Sequence, residues 1–361
     1  MSLACVASTS AYLSRSCWSS RVEPSMSVNR KVTVPVGRSG KARVAYVRRS
    51  AEATAPPKPT AADHRRVASG SMAIGVDHLD SLTSDQEEAF RRDGFLIVEE
   101  GLVSEAALEK LRERYLRLFD GEYETGIRPD EVNWVPGRDP EDRTRQLCNA
   151  WKSDHVVAAQ VLSERTGRLA AQLGRYRGVR ILQDNLLWKP PGTKAIGFHQ
   201  DSSYADYLVP PEMITCWISL HETQAKAGPL EFVRGSHSWP KSPPARTEFH
   251  APDDWLAGAR AAAPGWTEPE TVPVVVKAGG GSFHHGLTWH GSAPNTSGSV
   301  ARMALVAHLI PVEARFHETN VDLTYSRYRR RGDLSLDESF FPVVWDESGY
   351  RTPWLSDLPA L

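Results

Sequence analysis

The tetrapeptide Phe198-His199-Gln200-Asp201 places an imidazole and a carboxylate two residues apart. Alternate side chains of an extended strand project to one side, so His199 and Asp201 are expected to point together at one cation. A second histidine cluster follows 85 to 91 residues later, in SFHHGLTWHGS, and offers His284, His285 and His290 as a third ligand. Two imidazoles and one carboxylate fill one face of a metal and leave the opposite face open. That set suits Fe(II), whose free positions take a co-substrate and dioxygen. A closed tetrahedral zinc site would want a fourth protein ligand, preferably a thiolate. Neither body cysteine, Cys148 or Cys216, has a CxxC partner, and both are expected as buried free thiols in a reducing compartment.

These residues need a scaffold. Thr83 followed by Gln86 reads as a capping box, opening an amphipathic helix that stops at Gly94. FLIVEE follows as a short strand. Ser104 caps a second helix with Leu108, Leu111, Tyr115 and Leu118 on one face. Residues 121–146 are polar and turn-rich, and are expected as a long loop. A third helix is expected over about 154–173, ending at Gly174. Beyond it the period changes: VRILQDNLLWK, MITCWISL, PLEFVRG, VPVVVKA, SFHHGL and RMALVAHLIP read as short strands between Pro/Gly turns. Helices followed by many short strands predict an all-β sandwich or barrel behind a helical segment. The Pro/Ala-rich stretch 240–270 is expected as an insertion over the site.

Composition bounds the class. The 361 residues are 40% hydrophobic and 24% charged with net charge −1, as in an ordinary globular chain. The charge is uneven: residues 1–60 hold ten Lys/Arg against two acids, together with eleven Ser, and lack a sustained apolar face. A Pro/Ala linker (AEATAPPKPTAA) follows. That composition is expected for an organelle transit peptide, with its serines and its RVAYVRRSAEA end favouring chloroplast over mitochondrion. Without a targeting role the tail would be a basic extension of a cytoplasmic protein. The mildly acidic body offers no basic field for nucleic acid. No run approaches the roughly 18 apolar residues of a membrane span, so none is expected.

Three stretches, NLLWKPPGTKAIGFHQDSSY, ITCWISLHETQAKAGPLEFVRGSHSW and SFHHGLTWHGSAPNTSGSVARMALVAHLIP, together resemble the phytanoyl-CoA dioxygenase family of Fe(II)/2-oxoglutarate-dependent oxygenases. The resemblance runs from about Phe90 to Pro311. It implies a mainly β fold with α (α+β), a double-stranded β-helix (a cupin-like jelly roll) buttressed by N-terminal helices. Residues 1–72 would then be transit peptide and linker, and 73–361 one domain, with a helical part over about 83–174 and a jelly-roll core over about 178–312. His199, Asp201 and His290 match the family's metal triad. Arg302, twelve residues past His290, matches the arginine for the far carboxylate of 2-oxoglutarate; a longer NTSGSVA turn absorbs one extra residue. Its planar fork suits bidentate carboxylate binding. Ser292 and Trp217 are implied co-substrate contacts, and Lys189, Gln183 and Asn185 further co-substrate or substrate candidates. His285 is expected to line the site without being a ligand, and His237, His221 and His308 to be structural. The basic run Tyr325–Arg331 is expected as a solvated or carboxylate-paired surface, with a grip on acyl-CoA phosphates as the alternative.

The implied function is hydroxylation of an aliphatic carbon in a small-molecule or acyl substrate, with dioxygen consumed and succinate and CO2 released. Ascorbate is expected to be supportive. Related halogenases replace the triad carboxylate with a small residue, so Asp201 favours hydroxylation over halogenation, while desaturation and cyclisation stay open. The alternatives are a non-oxygenase cupin-type metal-binding protein and a catalytically silent family member. Substrate identity and oligomeric state are not encoded in any recognisable motif.

Overall fold

Local sequence chemistry starts the helices. Thr83 accepts the Gln86 amide while the Gln86 side chain returns to Thr83, and Gly94 closes α1 (Ser84–Asp93) in the left-handed region at φ 83°. Ser104 caps α2 (Glu105–Phe119) through the Ala107 amide. The single helix expected over 154–173 is two: α3 (His155–Val161) and α4 (Glu164–Gly174). The break falls where the Ser163 hydroxyl accepts the Thr166 amide and starts a new first turn. A short α5 (Ala257–Ala262) lies in the 240–270 insertion. The computed structural model describes residues 79–361 apart from 245–248 and 251, and the expected transit peptide and linker lie outside the described residues.

The strands are β1 (Phe95–Val98), β2 (Glu131–Val132), β3 (Arg145–Cys148), β4 (Gly178–Lys189), β5 (Ile196–His199), β6 (Leu208–Val209) and β7 (Ile214–Ser219). They continue with β8 (Leu230–Val233), β9 (Thr271–Pro273), β10 (Gly281–His285), β11 (His290–Ser292), β12 (Arg302–Pro311), β13 (Arg315–Phe316) and β14 (Val343–Asp346). A large antiparallel sheet runs β1-β10-β7-β12-β4-β3-β2, with β14 also on β4, and a smaller one runs β5-β11-β8-β9. The stretch expected as a loop, 121–146, contains β2 and the start of β3, which extend the large sheet; its polar residues hid a strand edge.

Alternation along the central strands sorts two cores. Ile214, Cys216 and Ile218 of β7, with Leu305, Ala307 and Leu309 of β12, join the core under the helices, with Leu108, Leu111 and Leu169. Trp217, Ala304 and Val306 turn the other way and meet Phe95, Leu230 and Phe232 between the sheets. Each fully buried Leu or Phe stabilises by roughly 1.5–3 kcal/mol, so the helices hold the large sheet firmly from behind. Its inward face carries the polar residues Thr215, Ser219, Ser282, His284 and His308 as well, all buried. A core face does not carry so much polarity unless it serves a site.

Candidate metal centre

His199 is the last residue of β5, and Asp201 opens the 3-10 turn Asp201–Tyr204. Asp201 thus lies just past the end of the strand, but Gln200 between them is extended (φ −117°, ψ 126°), so alternation still carries both side chains to one side. His290 opens β11 and is the direct cross-strand partner of His199. One ligand atom each from His199, Asp201 and His290 lies within 4.8 Å of the others. Asp201 Oδ1 is 3.6 Å from His199 Nε2 and 3.4 Å from His290 Nε2.

The donor set fits a divalent cation. His199 Nδ1 is 2.9 Å from the Gly197 carbonyl and His290 Nδ1 is 2.9 Å from the Thr288 carbonyl. A carbonyl only accepts, so both protons sit on Nδ1, and neutral rings present bare Nε2 lone pairs to a carboxylate oxygen. Three electron pairs facing one another in a buried pocket need a cation or proton between them. The titration tendencies agree. Burial opposes ionisation of Asp201, yet His290, His308 and the donors around it hold its pKa well below the usual carboxylate range. Burial lowers His199, with His290 adding to the shift, whereas for His290 the Asp201 carboxylate outweighs burial and raises it.

The second oxygen of Asp201 has other partners. Oδ2 accepts from Thr215 Oγ1 at 2.7 Å and lies 3.0 Å from His284 Nε2. Behind Thr215 runs a chain of one direction. Tyr325 OH donates to Gln183 Oε1 (2.5 Å), Gln183 Nε2 to Asn185 Oδ1 (2.7 Å), and Asn185 Nδ2 to His308 Nε2 (3.0 Å). His308 Nδ1 then donates to Thr215 Oγ1 (2.9 Å). Each member donates forward, which fixes the His308 tautomer without appeal to its charge.

Farther along the inward face two cations are buried. Arg302 opens β12 opposite Lys189 of β4. Burial pulls the Arg302 guanidinium down to about 10, and no carboxylate pairs with it among the described residues. Burial and the neighbouring Arg302 push Lys189 well below the usual amine range. Lys189 Nζ donates to Ser292 Oγ at 2.8 Å and to the Ala293 carbonyl at 2.5 Å. Ser292 thus accepts from Lys189 and keeps its own proton to donate. Arg302 Nε, Trp217 Nε1 and Ser282 Oγ are buried with no hydrogen-bond partner among the described residues, and the guanidinium carbon is 5.8 Å from the Trp217 ring. Unpaired buried donors around an unpaired buried cation are costly unless an anion completes them, and a dicarboxylate does so.

The family model described as Phytanoyl-CoA dioxygenase (PhyH) matches residues 90–304, more than half of the chain. The protein belongs to the phytanoyl-CoA dioxygenase family. Phytanoyl-CoA dioxygenase domain-containing protein 1 of Mus musculus is 28% identical over 194 residues, 52% of this chain and 64% of that protein, and the Rattus norvegicus protein matches equally. The chain thus spans 64% of the length of these curated relatives. Among solved structures, the non-heme alpha ketoglutarate dependent carbocyclase SnoK from nogalamycin biosynthesis aligns at 24% identity and TM-score 0.56, over 73% of this chain and 96% of SnoK. The epimerase SnoN, solved with Fe3+, alpha ketoglutarate and nogalamycin RO, aligns at 21% and 0.57, over 72% and 97%. EctD from S. alaskensis with bound Fe aligns at 19% and 0.54, over 71% and 87%. At these identities the likeness is one of fold, a cupin jelly roll.

In this family member the structure redistributes several sequence candidates. Trp217 and Ser292 lie with Arg302 and Lys189. Gln183 and Asn185 do not; they stand in the hydrogen-bonded chain leading to Asp201. His284, not His285, faces the metal centre. His285 ends β10, its ring 5.8 Å from His237. β10 stops at His285 and the chain crosses to the smaller sheet before His290. His308, expected as structural, is one residue removed from the metal carboxylate. The basic run is largely engaged: Arg327 and Arg329 bond backbone carbonyls and Arg330 pairs with Asp337. Asn295 of the NTS sequon is buried and ties the β11–β12 turn to the Lys189 and Val300 carbonyls. A cavity of about 490 Å³ opens beside His199, walled by Phe198, Gln200, Trp255 and Trp289, so part of the 240–270 insertion does flank the ligand strand.

Proposed function

We propose that this chain is a non-haem Fe(II)- and 2-oxoglutarate-dependent dioxygenase that hydroxylates an aliphatic carbon of a small organic substrate. The observation that carries the reading is the joint presence of three convergent metal donors, two of them on the smaller sheet, and, on β12 of the large sheet, a buried guanidinium with no counter-ion among the described residues. A cupin-type metal-binding protein explains the first and leaves the second uncompensated. His199, Asp201 and His290 would hold the iron. Bound there, iron supplies dioxygen activation coupled to decarboxylation of 2-oxoglutarate to succinate and CO2.

The chain's own residues bind and orient. Arg302 receives the far carboxylate, with Ser292 and Trp217 as donors beside it and Lys189 adding positive potential. Phe95, Leu187, Leu230 and Val306 make the surroundings between the sheets apolar. Of the basic run only Arg330 is charge-paired among the described residues, with Asp337, while Arg327 and Arg329 bond neutral carbonyls, so the run leaves the choice between an acyl-CoA and a free small molecule open. Purified protein supplied with Fe(II), ascorbate and 2-oxoglutarate should release succinate in step with one member of a panel of small metabolites. No substrate-linked succinate from the wild type, or equal release from Asp201→Ala, contradicts the reading.

We also propose that residues 1–72 direct the chain to the chloroplast, on their basic, serine-rich, acid-poor composition. A fluorescent protein carrying these residues should enter isolated chloroplasts and be shortened there; uptake by mitochondria alone, or none, overturns the assignment.

A further inference from the structure

The two oxygens of Asp201 live in different surroundings. Oδ1 faces the Nε2 atoms of His199 and His290. Oδ2 is turned to the large sheet, 3.0 Å from His284 Nε2 and 2.7 Å from Thr215 Oγ1. His284 and Thr215 are direct cross-strand partners on β10 and β7, so adjacent strands deliver both donors to one atom. His284 is 2% exposed and its ring is wedged between Phe232, 5.0 Å away, and His290, 4.5 Å away. Its Nδ1 has no partner among the described residues. Among those residues, the one hydrogen bond the geometry gives this ring is donation from Nε2 to Oδ2.

We propose that His284 is a positioning residue which, with Thr215, ties down Oδ2 and makes Asp201 a one-oxygen metal ligand. The inference rests on the triad reading above. A carboxylate binding through both oxygens would occupy two positions of an octahedral ion. With two imidazoles that leaves two vacancies, too few for a chelating 2-oxo acid together with dioxygen. Two hydrogen bonds on Oδ2 stabilise the one-oxygen arrangement and preserve three vacancies.

Co(II) serves as the probe, because its visible absorption reports coordination number, and 2-oxoglutarate binding to the Co(II) protein is read by calorimetry. His284→Ala is expected to keep Co(II) binding, shift the visible spectrum and weaken 2-oxoglutarate about tenfold, the low end for loss of an outer-layer partner. His284→Gln, which restores a donor, should recover most of that affinity. A merely structural histidine would change the melting temperature but leave the spectrum and the 2-oxoglutarate affinity of the loaded protein alone. Should His284→Ala fail to fold, the near-isosteric Thr215→Val carries the same readouts. An unchanged spectrum and unchanged 2-oxoglutarate affinity overturn the inference. So does a loss confined to Co(II) affinity. Asp201→Ala separates the two levels: if it binds Co(II) like the wild type, the triad reading itself is wrong.

Discussion

Lys189 and Arg302 are cross-strand partners on β4 and β12, two buried cations side by side with neither in an ion pair among the described residues. Such an arrangement opposes folding through desolvation and like-charge repulsion, and it makes sense as a seat for an anion.

Arg302→Met therefore has effects of opposite sign. In the absence of ligand the variant should be as stable as the wild type or more so, by up to about 1–2 kcal/mol, because an uncompensated buried charge is gone. Saturating 2-oxoglutarate should raise the melting temperature of the metal-loaded wild type and leave the variant unmoved. Differential scanning calorimetry with and without 2-oxoglutarate checks both halves. An equal ligand-induced shift in the two proteins places the co-substrate elsewhere.

Gly291 sits beside the distal histidine for a steric reason. A Cβ there would lie 2.5 Å from Phe198 Cδ2 and 2.8 Å from the Ile196 carbonyl, in the seam where β5 meets β11. Gly291→Ala should part those strands and destabilise by about 1–3 kcal/mol. Because His199 and His290 pair across the same seam, metal affinity should fall with stability. Urea melts together with a metal titration test this, and full metal affinity in a destabilised variant would show that the seam does not set the ligand geometry.

Asp184 gives a pH dependence. Burial raises its carboxyl from 3.8 to about 7, against the amides of Trp151 and Ala150 that donate to it. The native state then keeps a proton that the unfolded chain releases. Stability from this group is fully present below about 4 and is lost as pH rises to about 7. Asp184→Asn removes the titration, so the stability of the wild type relative to this variant should decline between pH 4.5 and 7.5. A flat difference in urea melts across that range contradicts the assignment.

What the sequence revealed follows from the range of the interactions. Capping by Thr83 and Ser104 and the hydrophobic periods of α1, α2, β4, β7 and β12 are local, and they were legible. The candidate metal ligands are nameable because their residue types recur at a spacing that a known family shares. The break between α3 and α4 is not legible in the sequence, because a serine inside an apolar period is tolerated within a helix unless, as here, its hydroxyl caps the next turn. β2 is not legible as a strand because a short, polar segment takes its pairing from distant partners. His284 against His285 could not be decided, since parity is lost where β10 ends and the chain changes sheets. His308 reads from the sequence as structural. Its signal was present, as it shares inward parity with Val306 and Ala304, but its meaning depends on Thr215 and Asn185 on two other strands.

The proposed function requires one ferrous ion held jointly by His199, Asp201 and His290. Anaerobic Fe(II) titration of the full chain, followed by calorimetry, tests it most directly. One ion should bind per chain, and His199→Ala, Asp201→Ala and His290→Ala should each weaken binding by more than about 100-fold, beyond the ~10–100-fold loss typical of outer-layer partners. Stoichiometric, wild-type-like binding by any one of the three variants would contradict it.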